Sequence, residues 1–279
     1  VSAVAEILKE FSPDMLPVLI SQLDEEEQGE FLRLIEEEDH ECIVARCSER
    51  VVAHDRGPMY WLRTFTKTEN YHWEKQGLPP KAPFPHKPYP KETLVAYGIP
   101  EEKLDWDYLD WLMSFLLESY ESGKPLNIPK TREMITSWLV VGYITWSCQF
   151  FQNVQAVGQS EKDDKAKGLI KYSNILYENQ PAWLKARFPL RRGEAGTLHS
   201  IEWAHGSSFT GVPQGERQTA SHHPTIYFND ESAHQPGWKA TVDIVKPVAK
   251  QIISVSSAAF SDFGIACDPH EGATTDGNQ

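Results

Sequence analysis

From residue 125 onward the chain alternates short apolar segments with amphipathic ones of helical period, and this alternation restricts the fold more than any other feature. LNIP (126–129) precedes an expected helix over 133–150, and VQAVGQ (154–159) precedes one over 161–179. TLHSIEWA (197–204) and TIYFND (225–230) follow, then a helix over 238–249 and QIISVSS (251–257). Strands joined through helices lie parallel, because the crossover returns the chain to the same end of the sheet. The pattern predicts a three-layer αβα domain with a mainly parallel sheet. Ligands of such sheets bind outside the carboxyl ends of the strands, so the chemistry belongs in the loops that leave them.

The remaining organisation follows from composition. Trp138 to Phe151 is the longest apolar run, 14 residues, short of the roughly 20 that cross a bilayer, and reads as a buried core helix. No membrane association is expected. Residues 2–50 read as helices with Ser12 and Asp24 as N-caps, and residues 76–100, with seven prolines, as extended irregular chain. Residues 101–122 return to helix. Of the net charge of −13, residues 1–60 carry −10, from fifteen acids against five bases. Such a balance excludes a protein that coats nucleic acid with its whole surface. Cys42, Cys47, Cys148 and Cys267 form no CxxC pair, and the ten histidines form no HExxH. Reduced thiols rather than structural zinc are expected. The divisions expected are a helical acidic segment over 1–55, a main domain over 56–265 and a flexible tail over 266–279.

Two strand ends carry the candidate chemistry. The segment Lys130, Thr131, Arg132, Glu133, Met134, Ile135, Thr136, Ser137 joins LNIP to the apolar helix. A phosphate loop needs backbone N–H groups at a helix N-terminus, a lysine for the phosphates and a hydroxyl for Mg²⁺. With Ser137 as that hydroxyl, Lys130 falls where the first glycine of the usual pattern stands and Ile135 where the second does. The lysine would then reach the phosphates from the front of the loop. Ile135 lacks glycine's freedom at positive φ, so the loop is expected to take a conformation ordinary residues tolerate. The second strand, TIYFND, ends in Asp230-Glu231. Two acids there are costly to desolvate unless a cation faces them. In phosphoryl transfer an aspartate at this place holds Mg²⁺ and a glutamate orients the attacking water. A third strand ends in the small hydroxyls Ser256 and Ser257, which can sense a γ-phosphate without steric cost.

The ordered set PKTREMITSW, VQAVGQSEKDDKAKGLI, HGSSFTGVPQG, PTIYFNDESAH and IISVSSAA resembles the ATPase domain of the large terminase subunit of tailed bacteriophages, over roughly residues 55–265. The resemblance implies a P-loop NTPase fold, ATP and Mg²⁺ as ligands, and a motor that drives double-stranded DNA into a procapsid. It implies Lys130 as a displaced Walker lysine, Ser137 and Asp230 at the Mg²⁺, and Glu231 as general base toward water. Ser256 and Ser257 match the motif that couples hydrolysis to movement. Arg132 matches an arginine directed at the γ-phosphate in cis, and Arg217 is the candidate finger for a neighbouring subunit. Adenine contacts are expected around Phe84 to Tyr89. Implied partners are the portal protein, the small terminase subunit and further copies in a homo-oligomeric ring, in the cytoplasm of an infected host cell.

Large terminases also carry a nuclease domain. Too little sequence follows QIISVSS to hold its metal-binding carboxylates, and Asp268, as the first acid of such a domain, would not make a site by itself. Nuclease activity is therefore not expected of this chain; either it is a separated ATPase domain or the nuclease lies on another polypeptide. Two alternatives stay open at the level of sequence. One is a helicase or translocase ATPase acting on DNA, and the other is a nucleotide-binding structural module without turnover. The basic cluster Lys185, Arg187, Arg191, Arg192 reads either as a DNA track or as a solvated face.

Overall fold

The computed structural model describes residues 25–69, 81–85, 95, 106–131, 134–191, 197–215, 223–257, 259 and 261–267. The chain divides into two units, Val1–Glu49 and Arg50–Gln279. In the first, the glutamate-rich run forms helix α1 (Glu25–Ser48). The expected caps Ser12 and Asp24 lie outside the described residues, as does the tail after Cys267.

The second unit begins with helix α2 (Gly57–Phe65), whose Pro58 sits in the first turn, where a missing N–H costs no helical bond. Its Arg63 reaches Asp107 at 2.6 Å and Asp110 at 2.7 Å. Asp107 also caps helix α3 (Tyr108–Ser122) by accepting from the N–H groups of Leu109 and Asp110, and Gly123 at φ 67° closes the helix. Between these helices, strand β1 (Lys67–Glu69) pairs antiparallel with strand β2 (Lys81–Pro83). This corrects the expectation of wholly irregular chain over 76–100. Lys81 and Ala82 keep their backbone donors, and Pro83 stands at the end of a two-stranded ribbon, where proline is tolerated.

Among the described residues six strands build the main sheet: β3 (Leu126–Lys130), β4 (Gln155–Ser160), β5 (Ser200–Glu202), β6 (Ser208–Pro213), β7 (Ile226–Asp230) and β8 (Gln251–Ser257). Their order is β3-β8-β7-β4-β6-β5. All neighbouring pairs are parallel except β5 with β6. The mainly parallel sheet flanked by helices is as the alternation predicts. Among the described residues strand β3 is an edge, where Pro129 fits within it.

Helix α4 (Thr136–Phe150) is the apolar run, buried from Trp138 to Gln149, so it is a core helix as expected. Helix α5 (Asp163–Glu178) packs so closely on β6 that a Cβ at Gly211 would stand 2.7 Å from the carbonyl oxygen of Ala166. On the opposite face, helix α7 (Trp238–Val245) buries Val245 against Val157, Val212, Tyr227 and Ile252. Short helices α6 (Ala182–Arg187) and α8 (Asp262–Ala266) complete the described unit. Trp61, Trp146, Trp203, Tyr143 and Phe209 are fully enclosed. Burial of side chains this large, at about 1.5–3 kcal/mol or more each, is the main stabilising term.

Candidate active site

Three strands deliver the candidate residues to one end of the sheet. The register sets Lys130 of β3 opposite Ser257 of β8, and Val255 of β8 opposite Asp230 of β7. Because β8 lies between β3 and β7, the lysine and the acids approach each other across its serines. Lys130 Nζ stands 3.2 Å from Glu231 Oε1, and Ser137 Oγ donates to Asp230 Oδ1 at 2.9 Å. The second oxygen of Glu231, Oε2, accepts from Ser257 Oγ at 3.3 Å, Ser256 Oγ at 3.4 Å and the Ser257 N–H at 3.5 Å.

The electrostatics of the two acids diverge. Burial pushes the Asp230 carboxyl up to about 6, with a smaller contribution from the charge of Glu231, while the Ser137 hydrogen bond and Lys130 pull the other way. Burial also acts to raise Glu231. There the Lys130 charge, its hydrogen bond and the bonds from Ser257 together outweigh it, so this carboxyl lies below the usual glutamate range. Asp230 is the acid that protein alone satisfies poorly, and Glu231 the one held ionised.

The loop between β3 and α4 departs from expectation. Ile135 has φ 60° and ψ 9°, in the left-handed region, and its carbonyl accepts the first helical bond, from the Leu139 N–H, at 3.0 Å. The expectation that isoleucine excludes positive φ is therefore corrected: the residue takes glycine's conformation at a cost of about 1–3 kcal/mol. Enclosure of the α4 that follows, buried along nearly its whole length, holds the residue there. Ile135 has no side chain able to cap, and among the described residues no side-chain cap bond is made at the start of α4. Uncapped donors at the positive end of a 15-residue helix form an anion site. Glu231 is also left-handed, at φ 56° and ψ 44°.

Lys130, Ser137, Asp230, Glu231, Ser256 and Ser257 thus come together. Thr131 is exposed at the end of β3, Met134 is half-buried, and Thr136 is buried with only 2% of its surface exposed. Arg132, Glu133 and Arg217 lie outside the described residues. Phe84, expected near the adenine, is 1% exposed and belongs to the core, so its ring offers no open stacking face. Residues 86–89 lie outside the described residues. In the basic cluster Lys185 Nζ donates to the Glu178 carbonyl at 3.0 Å, and Arg191 Nη1 approaches Glu202 Oε2 at 3.7 Å.

Sequence reasoning missed three neighbours. His234 Nε2 stands 3.2 Å from Ser257 Oγ and 3.9 Å from Glu231 Oε2. Gln235 Nε2 donates to the Asp230 carbonyl at 2.7 Å. Lys165, on the first turn of α5, is among the cations that bear on Asp230. The one available signal was Asn229, a polar residue next to the end of an otherwise apolar strand.

The site fits a magnesium ion. Ser137 Oγ and Asp230 Oδ1 are hard oxygen donors already converging, and burial makes the carboxylate short of cationic compensation. Among the described residues no group of three or more His, Cys, Asp or Glu side chains could hold a metal by itself. The set therefore suits a cation that keeps phosphate and water oxygens as its other ligands. No helix among the described residues is long and apolar enough to cross a membrane.

Sheet order and helical layers make a mostly parallel α/β fold with the site at the carboxyl end, an arrangement consistent with a P-loop NTPase-like fold. No protein-family model matches the chain, and no curated protein matches it. Among solved structures it is similar to the large terminase ATPase domain of Thermus phage P74-26, at 11% identity and a TM-score of 0.38. An arginine-to-alanine variant of that domain is similar at 15% identity and a TM-score of 0.34. Both matches cover 50% of this chain and 62% of the other, so the chain spans about three fifths of the length of these structures. A likeness this distant leaves the chemistry to be argued from the site.

Proposed function

We propose that this chain is an ATP-hydrolysing motor subunit of a viral DNA-packaging terminase. The observation that carries the hydrolytic part is the meeting of Lys130, Ser137, Asp230 and Glu231 at one end of the parallel sheet. The packaging part rests on the ordered motifs that resemble large terminases.

In this reading the first-turn N–H groups of α4 and the ammonium of Lys130 bind the β- and γ-phosphates. Ser137 and Asp230 would hold Mg²⁺, which when bound would neutralise charge on the phosphate oxygens. Glu231, kept ionised by its neighbours, orients a water in line with the γ-phosphorus and accepts its proton. Ser256 and Ser257 touch that carboxylate and report the loss of the phosphate. Arg132 in cis and Arg217 toward a neighbouring subunit are the proposed cationic supplements; such fingers contribute ~10³–10⁵ in rate. Residues 56–265 form the ATPase domain. Double-stranded DNA, portal protein, small terminase subunit and a ring of copies are its partners, in the cytoplasm of the infected cell.

The test is Glu231→Gln, assayed for phosphate release and ATP binding at high protein concentration with and without DNA. Retained binding with turnover reduced at least 100-fold is expected. Turnover like that of the unaltered protein would overturn the reading. Packaging with a portal-bearing procapsid, against strand separation of a duplex, distinguishes a packaging motor from a helicase.

A further inference from the structure

Five polar side chains that the proposed mechanism does not use form a closed network beside the catalytic turn. Gln159, Tyr227 and Asn229 have no exposed surface, while Ser232 is 1% and Gln235 6% exposed. Tyr227 Oη donates to Gln159 Oε1. Asn229 Nδ2 donates to Tyr227 Oη at 2.9 Å, Gln159 Oε1 at 3.2 Å and Gln235 Oε1 at 3.3 Å. Gln235 Nε2 returns a bond to Asn229 Oδ1 at 2.9 Å and donates to the Asp230 carbonyl at 2.7 Å. Ser232 Oγ shares its proton between the Asn229 carbonyl at 3.0 Å and Asn229 Oδ1 at 2.9 Å. The far end is anchored where Gln159 Nε2 donates to the Pro213 carbonyl at 3.3 Å.

Apolar side chains of the same volume would fill this space without the desolvation cost of so many amide and hydroxyl groups. What the network adds is direction. It grips the peptide on either side of Asp230, immediately before Glu231 enters the left-handed conformation that a glutamate does not choose unaided. We propose that Gln235 is a positioning residue for Glu231. Its amide clasps the Asp230 carbonyl, fixes the angle at which the chain leaves β7, and so aims the Glu231 carboxylate toward Lys130 and the serines. Asn229 and Gln159 hold that amide in register with β4 and the end of β6. The inference rests on the reading of Glu231 as general base.

The experiment compares Gln235→Met, which keeps length and loses every hydrogen bond, with Gln235→Glu, which keeps acceptors and loses the donor to Asp230. Each is measured for kcat, for the Kd of ATP under non-turnover conditions, and for thermal midpoint. A fall in kcat of at least tenfold, with Kd within twofold of the unaltered protein, is expected for both. Gln159→Met, at the far end, is expected to lower kcat by less, and it carries the test if the Gln235 variants fail to fold. Unchanged kcat in a folded variant overturns the inference, and so does a loss that follows the thermal midpoint and raises Kd in parallel. Turnover by Glu231→Gln would instead remove the reading beneath it, so the two failures are distinguishable.

Discussion

Lys130 and Glu231, 101 residues apart in the chain, are ion-paired through Nζ and Oε1 at 3.2 Å. The lysine side chain is only 12% exposed and the glutamate 30%. Breaking a partly buried pair of this kind leaves two charges needing new partners. In the proposed function an incoming triphosphate supplies the partner for Lys130, and the serine bonds keep Glu231 ionised.

Removal of the lysine therefore acts on binding first. Lys130→Ala is expected to weaken ATP at least 30-fold, as loss of a charge-assisted contact with phosphate does. Titration calorimetry of ATP in the presence of Mg²⁺ measures it. An affinity within threefold of the unaltered protein would place the phosphates elsewhere.

A second expectation concerns Asp230 and pH. Its carboxyl is raised in the fold to about 6 from an ordinary 3.8. The native state thus binds its proton more tightly than the unfolded state does, and stability contributed by this group falls as pH rises from about 4 to 6. Ionised Asp230 then costs up to about 3 kcal/mol at neutral pH. Asp230→Asn removes that cost and loses part of the Ser137 bond. Its thermal unfolding in chelator at pH 7 is expected to show a gain of about 1–2 kcal/mol, with little gain at pH 4. Mg²⁺-dependent ATP binding should vanish in the same variant. A lower midpoint than the unaltered protein at pH 7 would contradict the account.

Ile135 offers a third. Glycine adopts φ 60° without the steric cost that a β-branched residue bears there. Ile135→Gly is expected to leave stability within about 1 kcal/mol, since relief of strain offsets lost apolar burial and chain entropy. ATP affinity should hold or rise. A fall of more than about 3 kcal/mol in chemical denaturation would mean that the side chain, not the backbone, is what the loop needs.

Much of this was legible because the responsible signals are local. The run Trp138–Gln149 is uncharged and apolar save for Thr145, Ser147 and Gln149, and it is buried throughout. Asp230 and Glu231 announce themselves as charges at the end of Ile226–Phe228, three apolar strand residues. Strand β6 was not expected, since Gly211 and Pro213 dilute its apolar period. Gly211 is there because Ala166 leaves no space for a side chain, a fact of packing rather than of pattern. The left-handed turn at Ile135 ran against local propensity, which the packing around it overrides. Gln235 carries no signal in the sequence. Its partners, Asn229 and the Asp230 carbonyl, come within reach only when the 232–234 turn folds it back on β7.

The position of β3 at the rim of the sheet has a mechanical meaning. Among the described residues this strand is bonded on one side only, to β8, whereas the strand bearing Asp230 is clamped on both sides by β8 and β4. Force that pulls Lys130 along its own axis meets one row of hydrogen bonds. The same force on the acidic strand meets two, so Lys130 stands on the more easily displaced strand and Asp230 on the more firmly held one.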